Sequence, residues 1–354
     1  HSVTPGATSF GTGLVLNVAS ACPAGAGPSA VSPSLGASNR STTGSITEVE
    51  EVTCVPLTEA QQVYVFVDEQ TLVSSASTFT VEVLPCTYEI AGNETPATAQ
   101  PLTCGVEGGI TPGGDVDFYA LATSAATGTR VFAMADGAAA SLSDFDMRIT
   151  DATVTLERDD VDLTGPWGDN SPAIAGRDVG GKTTFIRMNY FSASGQAQPY
   201  RLFSVLQPGG NGAGGSSAQA EVEPNGTAAL ANTGASVYFS GAISTNNGGD
   251  VDMFRFCAEA GESIHLSLDG DPLRNLTPAN LSLNLLDRDG LALFASNVND
   301  SGSTSSNAVT TTLSGTTPTS PSESILFKAR YTGVYTARVG STGTAATAIG
   351  DYLL

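Results

Sequence analysis

The sequence GGDVDFY at residues 113–119 recurs as GGDVDMF at residues 248–254. In both copies a glycine pair precedes alternating acidic and apolar residues, and the stretch ends on an aromatic side chain. Glycine pairs are typical of turns, and a period of two is typical of a half-buried β-strand. The recurrence therefore predicts that a turn and a strand are built twice, once in each of two repeated units.

The features around this motif also recur in the same order. An acidic segment with asparagine precedes it, and a strand with an acidic turn, a polar loop and two closing strands follow it. The predicted members of the earlier unit are residues 92–96, 145–151, 157–162, 184–188 and 200–203, and those of the later unit are residues 221–227, 281–287, 296–301, 334–339 and 351–354.

The first 86 residues contain only the later part of this pattern. Residues 14–18 are predicted as a strand before a loop at 35–40, and residues 63–68 and 78–83 as the closing strands. Neither the acidic opening segment nor the Asp-Val-Asp strand has a counterpart here. The first unit is therefore predicted to lack its opening strands.

These patterns predict an all-β chain of tandem antiparallel β-sandwiches. The 40 glycines and the low charged fraction of 14% agree with many short strands and turns. The predicted division is a partial sandwich at 1–86, a sandwich at 87–207, a flexible Gly/Ser linker at 208–219 and a sandwich at 220–354.

The charge balance narrows the possible partners. The chain has 35 acidic and 14 basic residues, for a net charge of −21. Such a chain repels phosphate backbones, so we expect no nucleic-acid binding. Its acidic loops either attract divalent cations or only keep an exported protein soluble. No apolar run reaches the ~20 residues needed to span a membrane.

Five cysteines are present, and none lies in a Cys-x-x-Cys pair, so zinc and thioredoxin-like sites have no support. Their spacing suggests disulfides between Cys22 and Cys54 and between Cys86 and Cys104. Cys257 is then left over, either as a buried free thiol or as one half of an intermolecular disulfide. Two disulfides would place the chain in an oxidising compartment, outside the cell or at its surface.

Catalytic residues are scarce. His1 and His265 are the only histidines, and the strand pattern around His265 predicts that it lies on a polar, exposed face. No Gly-x-Ser-x-Gly motif occurs. Trp167, the only tryptophan, is expected either to cap a core or to form an exposed contact. We therefore expect no enzymatic activity.

The order Glu-x-Glu-Pro-Asn, Asp-Val-Asp-x-Phe, Ser-Asn-x-x-Asp and Gly-x-Tyr resembles the bacterial pre-peptidase C-terminal domain. That family is similar in fold to the collagen-binding domains of clostridial collagenases. The resemblance is strongest over 221–354, good over 89–206 and partial over 1–86. It implies jelly-roll-like sandwiches that accompany secreted proteases or form arrays on surface proteins, many of them stabilised by calcium.

The resemblance also implies which residues would hold calcium, a cation that prefers six to eight oxygen ligands. The alternative is that the Gly-Gly-Asp-Val-Asp segments are turns with solvated acids. The second unit lacks the Glu-Pro-Asn sequence, so its site departs from the family pattern. The implied ligands are Glu221, Glu223, Asn225, Asp250 and Asp252 in the third unit, and Glu89, Asn93, Asp115 and Asp117 in the second.

Two functions agree with these expectations. The first is an extracellular structural or adhesive protein, such as a filament or surface-matrix subunit. Its incomplete first sandwich would accept strands from a neighbouring copy, head to tail. The alternative is an accessory region, processed from a secreted protease or other hydrolase, that binds protein or polysaccharide.

Overall fold

A computed structural model of the chain is all-β, which confirms the predicted fold class. The part of the chain that it describes contains no α-helix, and so no helix that could cross a membrane. The described residues are 2–5, 14–21, 34–38, 50–52, 55, 57, 60–69, 79–83, 86–122, 126–137, 144–160, 163–164, 170–192, 195, 197–234, 237–245, 249–296, 306–341 and 349–354.

The first repeat consists of two three-stranded sheets, with strand orders β4-β1-β6 and β3-β2-β5. Leu16 and Val18 of β2 pack with Val52 in its small apolar core. Residues 35–40, predicted as a loop, belong in part to strand β3, because the segment pairs with β2. The strands are β1 (Ser2–Pro5), β2 (Leu14–Ala19), β3 (Ser34–Ser38), β4 (Glu50–Glu51), β5 (Tyr64–Glu69) and β6 (Phe79–Glu82).

The second repeat has sheets of order β15-β10-β17-β8 and β12-β11-β16-β9-β7, with a separate hairpin, β13-β14. Its core includes Tyr119, Phe145, Met147 and Ile186. The strands are β7 (Gln100–Pro101), β8 (Gly105–Ile110), β9 (Val116–Ala120), β10 (Arg130–Gly137), β11 (Phe145–Thr150), β12 (Thr155–Asp159), β13 (Leu163–Thr164), β14 (Asn170–Ser171), β15 (Ala173–Asp178), β16 (Phe185–Tyr190) and β17 (Ala197–Gln207).

The third repeat has sheets of order β18-β19-β26-β21-β24 and β20-β25-β22-β23. The strands are β18 (Gln219–Ala220), β19 (Phe239–Ile243), β20 (Val251–Ala258), β21 (Ser263–Asp269), β22 (Leu281–Leu286), β23 (Ala292–Ser296), β24 (Ser322–Lys328), β25 (Gly333–Ser341) and β26 (Gly350–Leu353).

The repeats share one strand order. The series β9-β16-β11-β12 of the second repeat matches β20-β25-β22-β23 of the third, and β8-β17-β10-β15 matches β19-β26-β21-β24. In the first repeat, β5-β2-β3 and β6-β1-β4 match the ends of these series. Among the described residues the first repeat has no counterpart of β7, β8 or β9.

The strands group into two compact units. One comprises His1–Tyr88 with the short segments Ala258–Ser263 and Lys328–Thr332. The other holds Glu89–Cys257, Ile264–Phe327 and Gly333–Leu354, and therefore contains the second repeat together with most of the third.

The predicted flexible linker is ordered in the structure. Gly210 N–H donates to the Gly215 carbonyl and Gly212 N–H to the Ser216 carbonyl, both at 2.7 Å. Gly215 also packs so closely on Gly128 of the second repeat that a Cβ at Gly128 would collide with its carbonyl. Its composition suggested flexibility, but these glycines allow a tight turn against a neighbouring backbone.

Backbone hydrogen bonds join the second and third repeats along strand β12. Thr155 N–H donates to the Thr312 carbonyl, Arg158 N–H to the Pro318 carbonyl and Ser320 N–H to the Arg158 carbonyl, each at 2.9 Å. Residues 157–159 were predicted as part of a polar loop, and this is wrong, because they lie in a buried strand. The segment from Thr312 to Ser320 covers the edge of β12.

Five buried charged residues lie where the second and third repeats meet, and we call them the interface ion network. Arg274 Nε contacts Glu157 Oε2 at 2.9 Å, and Arg274 Nη1 contacts Asp269 Oδ1 at 2.6 Å. Arg177 lies 3.6 Å from Glu157, and Arg130 lies 3.9 Å from Asp269. Burial raises the pKa of Asp269, whereas the carboxylates around Arg274 raise the pKa of its guanidinium against the effect of burial.

We expect Arg274→Met to lower the free energy of unfolding by about 3–5 kcal/mol, because it leaves Glu157 and Asp269 buried without their main partner. The matched control is Arg288→Met, because Arg288 and its partner Asp289 are exposed. This control is expected to change the free energy by less than about 0.5 kcal/mol. Urea unfolding of both variants measures the difference. Equal effects would show that the network does not hold the repeats together.

Candidate metal centre

Three carboxylates of the third repeat converge. Glu221, Glu223 and Asp252 each offer an oxygen, and these oxygens lie within 4.8 Å of one another. Glu221 follows strand β18, where its N–H donates to the Ser240 carbonyl at 2.8 Å. Asp252 lies on the buried side of β20, since strand alternation turns the side chains of Asp252 and Phe254 inward. We call Glu221, Glu223, Asn225, Asp252 and Tyr352 the third-repeat site.

Hydrogen bonds hold the loop of this site in place. Val222 N–H donates to Asn232 Oδ1 at 2.8 Å, and Asn225 N–H donates to Glu223 Oε2 at 2.9 Å. The Asn225 amide Nδ2 also donates to Glu221 Oε2 at 3.3 Å. The loop that contains the Glu-Pro-Asn sequence therefore bends so that its polar side chains lie near Asp252.

Tyr352 of the closing strand β26 completes the site. Its hydroxyl donates to Asp252 Oδ2 at 2.7 Å and lies 3.0 Å from Glu221 Oε2. Tyr352 stands directly opposite Gly241 across the strands, and a Cβ at Gly241 would collide with the hydroxyl. A glycine is therefore required at this position for the tyrosine to reach the carboxylates.

Two buried oxygens in this site have no hydrogen-bond partner among the described residues. They are Asn225 Oδ1 and Asp252 Oδ1, and both side chains are fully buried. Burial, together with the charges of Glu221 and Asp250, raises the pKa of Asp252 to about 8 against the hydrogen bond from Tyr352. Two buried oxygens without a donor, beside a group of carboxylates, suit a hard cation such as calcium, which would neutralise the carboxylates. The residues present fit that ion.

Asp250 differs from the other predicted ligands of the third repeat, because its carboxylate bonds to a nearby turn. Its Oδ2 accepts from the Ser244 N–H at 2.7 Å and from the Ser244 hydroxyl at 2.6 Å, and it lies outside the cluster of three carboxylates. Asp115 does the same in the second repeat, accepting from Thr111 N–H at 3.2 Å and Val116 N–H at 2.9 Å. The first aspartate of each Asp-Val-Asp motif fixes the turn.

The structure also brings together Glu89, Asn93 and Asp117 of the second repeat, with Tyr119 and Tyr200; we call these the second-repeat site. Tyr200 donates to Asp117 Oδ2 at 2.6 Å, and its hydroxyl forms a short hydrogen bond with the Tyr119 hydroxyl. Gly109 N–H donates to Glu89 Oε2 at 3.0 Å. Burial raises the pKa of Glu89 and raises that of Asp117 to about 8.

The sequence patterns missed the two tyrosines. Both lie in closing strands that had been predicted, but neither was connected with the acidic motif. A signal was available, because Tyr200 pairs with Gly108 just as Tyr352 pairs with Gly241. A repeated tyrosine in the last strand and a repeated glycine in an early strand indicate a ring that crosses over the neighbouring backbone.

The cysteine expectations require two corrections. Cys104 has a free, exposed thiol, so the predicted bond between Cys86 and Cys104 is wrong. Cys257 is also free, but it is exposed and not buried, because the side chains of β20 that point inward are those of Asp252 and Phe254. Cys22 and Cys54 lie outside the described residues, as do His1 and Trp167.

His265 is half-buried, contrary to its expected place on an exposed face. Its ring Nε2 is buried without a hydrogen-bond partner among the described residues. Burial lowers the pKa of His265 to about 4, so the ring is neutral at neutral pH.

A scan against protein-family models finds no match to this chain, and a search of curated proteins finds none either. The function is therefore argued from the geometry of the sites and from the edges of the sheets.

We expect calcium to raise the thermal stability of the protein, because an ion that binds only the folded state stabilises it. At about a hundred times the dissociation constant, the gain is about 2.7 kcal/mol. Asp252→Asn should abolish the gain, whereas Asp351→Asn, an exposed neighbour of Tyr352, should preserve it. Thermal unfolding with calcium or with a chelator measures the effect. A gain that survives in Asp252→Asn would place the ion elsewhere.

The stability gained from calcium should also depend on pH. Folded Asp252, with a pKa of about 8, holds a proton more tightly than an unfolded aspartate, whose pKa is about 3.9. In chelator, stability should therefore fall as the pH rises from about 4 to about 8. Calcium replaces that proton, so its gain should grow over the same range. Unfolding curves at several pH values test this, and a gain independent of pH would contradict it.

Proposed function

We propose that this chain is a non-catalytic extracellular structural or adhesive protein, built from sandwich repeats that associate head to tail, with calcium stabilising the third repeat. The observation that carries the proposal is that β5 and β6 are the last strands of their sheets among the described residues of the first repeat. The resemblance to pre-peptidase C-terminal domains supports the same setting, a secreted or surface-attached bacterial protein.

The open edges follow from the strand orders. In the second repeat β16 lies between β11 and β9, and β17 lies between β10 and β8. Their counterparts β5 and β6 are edge strands among the described residues, paired only with β2 and β1. Among the described strands of the first repeat, none lies in the place where the other repeats carry a further strand. Such an edge is a template for strand addition.

Exposed apolar side chains lie along the same strands. Phe79 is 46% exposed and Val83 is 60% exposed, while Val65 and Val81 are also exposed. Phe79, Val81 and Val83 occupy alternate positions and so share one face of the chain, and an exposed apolar face is a common mark of an interaction site. A strand added at β6 would cover part of this surface.

The chain already covers one edge in this way. The segment from Thr312 to Ser320 of the third repeat pairs with β12 of the second. If the edges of the first repeat take a strand from another copy, the contact joins two different surfaces. Contacts between different surfaces form open chains when the rotation does not close, and this favours a filament or a surface matrix.

A structural role for calcium agrees with the burial of its proposed ligands. Asn225 and Asp252 are fully buried, and Tyr352 packs over the carboxylates. A cation held there would be enclosed by the sandwich and would stabilise the Glu-Pro-Asn loop. Enclosure of this kind suits folding stability better than a reaction on a substrate.

Assembly is tested with purified protein by light scattering after size-exclusion chromatography and by negative-stain microscopy. We expect oligomers that grow with concentration, and Val81→Lys should reduce them, because a charge on an edge strand disfavours strand addition. Val205→Lys is the matched control, since Val205 is similarly exposed but lies on β17, an interior strand of the second repeat.

A monodisperse monomer at every concentration would contradict the assembly proposal. If such a monomer instead bound an extracellular protein or a polysaccharide, the accessory region of a secreted hydrolase would become the better description. Full-length precursor from the native source distinguishes the two, because the accessory function requires a catalytic domain in the same precursor.

A further inference from the structure

The second-repeat and third-repeat sites are built on the same frame. Gly109 N–H donates to Glu89 as Ala242 N–H donates to Glu221, at 3.0 and 2.7 Å. Tyr200 donates to Asp117 as Tyr352 donates to Asp252, at 2.6 and 2.7 Å.

The loops that carry the first acid of each site correspond as well. Ile90 N–H donates to Gln100 at 2.7 Å, and Val222 N–H donates to Asn232 at 2.8 Å. Burial along the loops follows the same order, with a half-buried glutamate, three exposed residues and a buried asparagine in both. The positions of the two sites can therefore be matched residue by residue.

The first difference is in the number of carboxylates. In this matching Ala91 stands where the third repeat has Glu223, because each lies two residues after the first glutamate and two before the asparagine. The next residue is Gly92, with a φ of +97°, where the third repeat has Pro224. Proline cannot take a positive φ, so the second loop follows a different backbone path at this point.

The second difference is a hydroxyl group. Tyr119 of β9 stands where the third repeat has Phe254, each two residues after the buried aspartate. The Tyr119 hydroxyl forms a short hydrogen bond with the Tyr200 hydroxyl, which in turn donates to Asp117 Oδ2 at 2.6 Å. The ring of Phe254 is buried in the corresponding place and brings no polar atom.

The second-repeat site, which contains the Tyr119 hydroxyl, and the third-repeat site differ in which buried polar atoms have no hydrogen-bond partner. In the third-repeat site the two atoms without partners are oxygens, Asn225 Oδ1 and Asp252 Oδ1. In the second-repeat site Glu89 accepts from Gly109 and Asp117 from Tyr200, and the atom without a partner among the described residues is Asn93 Nδ2. That atom is a hydrogen-bond donor, which a cation cannot satisfy.

We propose that the second-repeat site is a cation-free version of the third-repeat site, in which the Tyr119 hydroxyl takes the place of the metal ion. Tyr119 and Ala91 are then the residues that decide which repeat binds calcium. This inference rests on the proposed calcium site for the identity of the ion. What it adds is the difference between the second and third repeats. One ion per chain is the expected stoichiometry.

The first experiment counts ions and needs no new binding site. Calcium titration calorimetry and terbium luminescence, excited through nearby tyrosines, are applied to the full chain and to the matched pair Asp117→Asn and Asp252→Asn. We expect one ion for the wild type, one for Asp117→Asn and none for Asp252→Asn. Two ions in the wild type, or loss of an ion in Asp117→Asn, would overturn the inference while leaving the proposed calcium site intact.

The second experiment transplants the third-repeat residues into the second repeat. The variant Ala91→Glu/Gly92→Pro/Tyr119→Phe is made in the Asp252→Asn background, so that any ion bound belongs to the second repeat. Residues 91 and 92 are exposed, so their side chains meet no core. We expect one terbium ion to be regained, and Tyr119→Phe alone in the same background to bind more weakly.

The two experiments separate the possible failures. If the wild type binds no ion, the proposed calcium site is wrong, and the transplanted variant still decides the inference. An ion gained by that variant supports the role of Tyr119 and Ala91. A folded variant without an ion, as judged by its thermal unfolding, overturns it. If the variant does not fold, the ion count of Asp117→Asn decides.

Discussion

The arrangement of the second and third repeats depends on one contact, in which Arg274 lies between Glu157 and Asp269. Its guanidinium crosses from one repeat to the other and is fully enclosed. Buried ions are costly unless their partners are well placed, so this contact specifies one mutual orientation of the repeats. Gly176 makes room for it, since a Cβ there would collide with the Asp269 carboxylate. The ordered glycine turn at 210–216 and the edge pairing of β12 depend on the same orientation.

The two acidic sites show how one frame can serve two purposes. Each repeat brings a glutamate, an asparagine and an aspartate together beneath a tyrosine from its closing strand. In the third repeat two buried oxygens have no hydrogen-bond partner among the described residues, and in the second the Tyr119 hydroxyl bonds to the tyrosine of the closing strand. On our proposal, a difference of two side chains, Ala91 for Glu223 and Tyr119 for Phe254, separates a site suited to a cation from a site that holds none. Duplication followed by such a change would leave the sandwich intact, because both versions satisfy most of their buried polar groups.

Much of the fold could be predicted because the alternation of apolar and polar residues that marks a strand is a local property of the sequence. The Asp-Val-Asp strands, the closing strands and the order of the repeats follow from alternation and recurrence, and β9, β16, β20 and β25 lie where they were expected. The predicted loop at 157–162 failed because charge was taken as a sign of exposure. Glu157 and Arg158 are charged and buried, and their partners Arg274 and Asp146 are remote in sequence. The predictions for Cys104 and Cys257 were wrong for a related reason. The spacing of residues along the chain does not determine which side chains meet in the folded protein.

The sequence by itself determined the class of fold, the recurrence of the units and the candidate ligands Glu221, Glu223, Asn225 and Asp252, because turn residues, alternation and acidic motifs are local properties. Only the tertiary structure decided that Tyr352 and Tyr200 reach these acids, that the glycine segment is a fixed turn, and that β5 and β6 are left at sheet edges. The tertiary structure also distinguished the second-repeat site from the third-repeat site. The bond between Tyr119 and Tyr200, like the contact of Tyr352 with Asp252, joins strands that are far apart in the chain and meet only in the folded sandwich.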